Sequence, residues 1–155
     1  FGLMRQPYTA ETFLGTTAGT ELRHGTSTMR LATRKTSPLA EVIVCATDPT
    51  MFAGAAHQQA FARLAPLARA VRFGGDCYTP CLVAGGWADL VVGAGVEPWG
   101  GQARIPIVQG AGGVITDWAG GPAERASEVI IAANRALHAE VVAALARSVT
   151  GEKSG

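Results

Sequence analysis

The sequence has 155 residues, a formal net charge of +1, and 48% hydrophobic, 6% aromatic and 16% charged side chains. That length is one domain, and so much apolar content excludes a disordered chain. Balanced charge excludes a nucleic-acid binder held by phosphate contacts, which needs a basic excess, and no window of about 18 apolar residues escapes a charge or a turn breaker, so no membrane span is expected.

In chain order, residues 5–22 read as a hairpin, with Glu11 to Gly15 in its first strand and Thr16 to Gly19 turning the chain. His24 to Pro38 is polar and reads as a loop with one short strand near Met29-Arg30-Leu31; Lys35 with Arg30 and Arg34 reads as solvated. From Glu41 the pattern changes. Val42 to Ala46 is a continuous apolar run, the mark of a strand buried on both faces. Asp48-Pro49 opens a helix, with Asp as cap and Pro at its first position, running through Phe52, Phe61 and Leu64. Val71 to Phe73 is a strand, and Gly74-Gly75-Asp76 turns into a helix through Tyr78, Leu82 and Val83. Asp89 to Val92 is the next strand, Ala103 to Val108 a helix ended by Gly110 to Gly113, and Val114 to Trp118 and Val129 to Ala133 two more strands. Asn134 caps a last helix with Leu137, Val141 and Leu145 on one stripe. Strands alternating with helices predict an α/β sandwich with a mixed, largely parallel sheet. Residues 1–150 form one unit (hairpin 5–22, layers 41–148), and 151–155 a polar tail.

Two glycine turns invite ligand readings. Leu90-Val91-Val92-Gly93-Ala94-Gly95 is a strand running into Gly-x-Gly, either an ordinary turn or the start of a dinucleotide-binding one; Pro98 stands where the third glycine of that fingerprint belongs. Phe73-Gly74-Gly75-Asp76-Cys77 exposes backbone N–H groups before a helix, and Asp76 either caps that helix or holds a cationic or hydroxyl group of a ligand.

The run Glu97-Pro98-Trp99-Gly100-Gly101 to Pro106-Ile107-Val108 and Ala111-Gly112-Gly113 resembles the late signature of the inositol monophosphatase family of Mg²⁺-dependent phosphatases. Gly74-Gly75-Asp76-Cys77-Tyr78, with Gln6-Pro7, Ala46 to Phe52 and Gly113 to Trp118, resembles its histidinol-phosphatase branch. The resemblance implies the C-terminal part of a sugar-phosphatase-like fold, a small phosphorylated metabolite as partner, histidinol phosphate as substrate, and Mg²⁺ as cofactor. It also implies that Gly75, Asp76 and Cys77 line the substrate pocket, with Asp76 facing the substrate's amine.

The family's metal ligands do not carry over. The signature Asp falls on Gly100 and a ligand-binding Glu on Gly93; none of the 12 carboxylates forms a Glu-Glu or Asp-x-x-Asp pair. No metal ligand, and no catalytic residue, is therefore assigned to this chain, which is expected to be inactive alone. With its start at Phe1-Gly2-Leu3-Met4 it reads as a segment whose missing N-terminal portion brings the metal motifs. A non-catalytic binding or oligomerisation remnant is the alternative. Low charge fits a surface packed on that portion or on a second copy. The three cysteines, Cys45, Cys77 and Cys81, lack a CxxC pair and suit a reducing cytoplasm. Cys77 and Cys81, four apart, are expected to pack on one helix face, Trp87, Trp99 and Trp118 in core or interface, and His24, His57 and His138 apart from any site.

Overall fold

The computed structural model describes residues 1–35 and 38–146; the expected polar tail lies outside them. Strands β1 (Gly2–Gln6), β2 (Glu11–Thr16), β3 (Gly19–His24) and β4 (Ser27–Leu31) form an antiparallel meander in that order. The expected hairpin is thus the middle of a four-stranded sheet, and the short strand near Met29 is its fourth member. Its one-sided burial explains the weak signal: Phe13, Leu22 and Leu31 are buried, while Ser27 to Arg30 are exposed throughout.

The second sheet contains β5 (Ile43–Ala46), β6 (Ala70–Phe73), β7 (Leu90–Gly93), β8 (Val114–Thr116) and β9 (Val129–Ala132), in the order β6-β5-β7-β9-β8. It is mixed: β5 runs parallel to β6 and β7, and β9 antiparallel to β7 and β8. All four residues of β7 and of β9 are buried, as their continuous apolar runs predict.

Helices α1 (Ala55–Leu64) and α5 (Arg135–Ala146) cover one face, where Leu64, Leu137, Val141 and Leu145 meet Val44, Leu90 and Ile130. Helices α2 (Thr79–Ala84) and α4 (Arg104–Gly110) cover the other, where Val83 and Val108 meet Val91, Ile115 and Ile131. Their far side packs on the meander through Phe13, Leu22, Leu31, Cys81 and Ile107. The layers are therefore helix, sheet, helix, sheet. Backbones touch closely at the last interface: a Cβ on Gly15 would stand 2.3 Å from Ile107 Cα, and the Thr20 hydroxyl donates to the Ile107 carbonyl at 2.6 Å.

Local signals account for most boundaries. The Asp48 carboxylate accepts from the Thr50 N–H at 2.8 Å, as a cap should, but the helix expected from Asp48 is broken. A 3-10 turn, Pro49–Phe52, ends before Gly54, and α1 begins at Ala55. Asn134 caps α5 through Leu137 N–H at 3.0 Å. Arg34 is exposed, as expected, and also ties its loop to the turn before β7: it donates to Gly86 O at 2.6 Å and pairs with buried Asp89 at 3.2 Å.

One packed histidine links the fold to pH. His138 of α5 lies 2.7 Å from the Thr116 hydroxyl, and burial pushes its pKa below the ordinary 6.5. The unfolded chain therefore takes up this proton first as the pH falls. Its contribution to stability is complete above about 6.5 and is lost as the pH drops toward the lower folded value. Urea titrations at pH 7 and about pH 5.5 should show the loss, and His138→Gln should flatten that part of the profile.

Candidate active site

The chain leaves β5 to one side to build β6, then returns past it to build β7. Such a crossing opens a crevice at the carboxyl ends of the parallel strands. There a cleft of about 530 Å³ is lined by Thr47 and Met51 after β5, Asp76 after β6, Gly93 to Glu97 after β7, and Gly100 and Arg104. Gly100 belongs to α3 (Pro98–Gly101), a single helical turn that precedes α4.

Asp76 reaches the cleft through an unusual backbone. Gly74, Gly75 and Asp76 have φ of +106°, +80° and +38°, so the chain reverses tightly at the end of β6. A non-glycine residue there is strained, a condition that clusters at functional sites. The capping reading of Asp76 is corrected: Gly75 is the cap residue and no side chain bonds there. The Asp76 carboxylate makes no hydrogen bond among the described residues and faces the cleft instead. Gly75 and Cys77 shape the turn but do not line the cleft.

Cys77 and Cys81 also part company. Cys77 lies in a 3-10 turn and is exposed, whereas Cys81 is fully buried in α2. The 3-10 turn runs directly into the α-helix at Thr79 and Cys77 acts on Cys81 through its field, but only Cys81 is packed as a core residue. Burial pushes the Cys81 thiol up to about 12 and raises that of half-buried Cys45. Ellman's reagent should therefore modify Cys77 rapidly in the native protein, and Cys45 and Cys81 only as it unfolds. Two or three fast thiols would contradict this packing.

Both glycines at the missing carboxylate positions line the cleft, but only the Gly93 position is closely packed on several sides. A Cβ on Gly93 would meet Met51 Cε and Val96 Cγ2 at 3.2 Å and Val129 Cγ2 at 3.3 Å. One on Gly100 would stand 3.0 Å from Arg104 Nη2. Arg104 Nε donates to the Gly100 carbonyl at 2.5 Å, which lays the guanidinium over that residue. Burial lowers the Arg104 pKa, against the opposing fields of Asp76 and the Cys77 and Cys81 thiols; a guanidinium nonetheless stays charged. Arg104 and Glu97 were not among the expected site residues. The legible hint was an arginine set four residues after a glycine within an otherwise apolar helix.

The remaining candidates lie elsewhere. His24 ends β3; His57 contacts Glu128 at 3.0 Å and the edge of Trp118; Trp118 packs beside Phe52 in the core. Burial raises the Glu128 carboxyl, but hydrogen bonds from His57 and Ser127 outweigh it and leave it below the usual range. Trp87 and Trp99 are exposed rather than core. The Gly93-Ala94-Gly95 turn leads into α3, only four residues long, and not into the long helix that a dinucleotide turn opens.

The family model of the inositol monophosphatases matches residues 1–150. The chain belongs to the inositol monophosphatase family. It is 33% identical over 119 residues to a chloroplastic bifunctional phosphatase of Arabidopsis thaliana, covering 77% of this chain and 33% of that one. It is 40% identical over 75 residues to a histidinol-phosphatase of Chlorobaculum parvum, covering 48% and 29%. An inositol monophosphatase from Zymomonas mobilis superposes with a TM-score of 0.86 at 28% identity, covering 93% of this chain and 56% of that one. The chain thus spans about a third of the curated relatives' length. The Zymomonas mobilis structure shares this chain's layered α/β architecture, and no helix among the described residues is long and apolar enough to cross a membrane.

The inositol monophosphatase family implies Mg²⁺, and this cleft's donor set does not fit it. Magnesium needs several oxygen ligands in octahedral array. Among the described residues no three His, Cys, Asp or Glu side chains gather closely enough to hold a metal. Among the described residues Asp76 and Glu97 are the only carboxylates lining the cleft, and they share it with a guanidinium.

Proposed function

We propose that this chain forms the substrate-side wall of a phosphomonoesterase site for histidinol phosphate, with Asp76 receiving the substrate's amine. The observation that carries this is the exposed Asp76 carboxylate, unpartnered among the described residues and held on a strained turn at the edge of the cleft at the strand ends. A carboxylate is the natural counter-charge for an ammonium group. Similarity to a histidinol-phosphatase and to a bifunctional phosphatase supports the substrate class. The metal ligands of the reaction belong to polypeptide outside these 155 residues, so the chain alone hydrolyses no phosphomonoester. A second reading, a binding protein that does not catalyse, is favoured by the close packing around Gly93 and by the Arg104 guanidinium laid over Gly100.

Incubation of the chain with histidinol phosphate and Mg²⁺ should release no phosphate above background, and measurable turnover would refute the claim of inactivity. Histidinol phosphate at about 100 times its Kd should stabilise the fold by about 2.7 kcal/mol, a rise in Tm of about 5–10 °C. Asp76→Asn should remove most of that rise. No shift with the unaltered chain would end the substrate-wall reading, while a shift with NAD or FAD would revive the dinucleotide one.

A further inference from the structure

We infer that Arg104 makes this cleft a metal-independent receptor for the phosphoryl group of a phosphorylated amine, with Asp76 holding the ammonium end. The inference rests on the reading above, since the cleft must be the ligand site, but it replaces the cation that the family uses there.

Three observations converge. First, the guanidinium is positioned and uncommitted. Its Nε is fixed on the Gly100 carbonyl, and among the described residues neither Nη group has a hydrogen-bond acceptor or a carboxylate in ion-pair contact. A partly buried cation without an anion is costly, and a phosphate oxygen pair is the bidentate partner that guanidinium geometry fits. Second, glycine at position 100 is what leaves this cation free. Any side chain there begins 3.0 Å from Nη2, so a carboxylate at that position would neutralise the arginine. Third, the charge pattern selects the ligand. Asp76 acts on Arg104 through its field but forms no ion pair with it, leaving room between opposite charges. With exposed Glu97 at the rim, the cleft holds one cation and two anions. That opposes a purely anionic ligand and matches one with phosphate at one end and ammonium at the other. A divalent cation in the same space would face the guanidinium.

The test is calorimetric titration of the 155-residue chain with histidinol phosphate, inorganic phosphate and inositol 1-phosphate, in EDTA and again with Mg²⁺. Histidinol phosphate should bind in EDTA, bind within about twofold as well with Mg²⁺, and bind more tightly than either amine-free probe. Arg104→Ala should weaken histidinol phosphate and inorganic phosphate alike by about tenfold or more. Asp76→Asn should weaken histidinol phosphate while tightening inorganic phosphate. Should Arg104→Ala lose its fold, judged by circular dichroism, Gly100→Asp serves instead. It places a carboxylate against a flexible side-chain end, should keep the fold, and should abolish phosphate binding. Binding that requires Mg²⁺, or that survives both Arg104→Ala and Gly100→Asp, overturns the inference. If Asp76→Asn alone matters, the substrate wall stands and the arginine's role falls; if histidinol phosphate does not bind at all, both fall.

Discussion

Gly15→Val is expected to cost about 3 kcal/mol of stability, measured by urea denaturation. The reason is the seam where β2 lies on α4. The new Cβ would stand 2.3 Å from Ile107 Cα, 2.4 Å from Ile107 N and 2.5 Å from the Pro106 carbonyl carbon. All three atoms are backbone, so no side chain can swing away, and the meander must lift off the helix. Lifting it would expose part of the cluster around Phe13, Leu22 and Ile107 and break the Thr20 hydrogen bond to the Ile107 carbonyl. Gly25→Ala is the informative comparison. Its φ is +59° but a Cβ there meets nothing within 4 Å, so only backbone strain of about 1–2 kcal/mol is expected. If Gly15→Val cost no more than Gly25→Ala, the contact between meander and helix would not be what holds these layers together.

Legibility in the sequence followed the range of each interaction. β5, β7 and β9 were readable as unbroken apolar runs because both their faces are covered. The caps at Asp48 and Asn134 were readable because each bond spans only two or three residues. The meander was half readable: β4 has four exposed residues and only Leu31 buried, so periodicity had nothing to detect. The solvated reading of Arg34 holds, but its pairing with Asp89 was not readable, because the two are remote in sequence and only the fold brings them together. The cleft divides the same way. Asp76 was visible in a local Gly-Gly-Asp turn, whereas the use of Arg104 depends on Gly100 beside it and on Asp76 across the cleft. The loss of carboxylates at Gly93 and Gly100 was legible against the family pattern; that the space at Gly93 is closely packed was not, since Met51, Val96 and Val129 arrive from separate segments.

Phe52→Ala should combine the largest loss of stability with a loss of binding, although Phe52 does not line the cleft. Its ring is 2% exposed, stacks on Phe61 at 4.2 Å with an interplanar angle of 17°, and lies 6.4 Å from the Trp118 ring. Truncation to alanine removes a buried aromatic and leaves a cavity among α1, Trp118 and the sheet, at a cost of about 3–5 kcal/mol. The 3-10 turn Pro49–Phe52 is short and depends on this anchor. Thr50 and Met51, immediately before it, form one wall of the cleft, and Met51 also fills the space over Gly93. Loosening Phe52 should therefore weaken histidinol phosphate binding even at temperatures where the variant is fully folded. Phe52→Leu keeps most of the volume and should recover much of the stability. Calorimetry well below each variant's Tm separates the effects: unchanged affinity in folded Phe52→Ala would mean that the wall stands without its aromatic anchor.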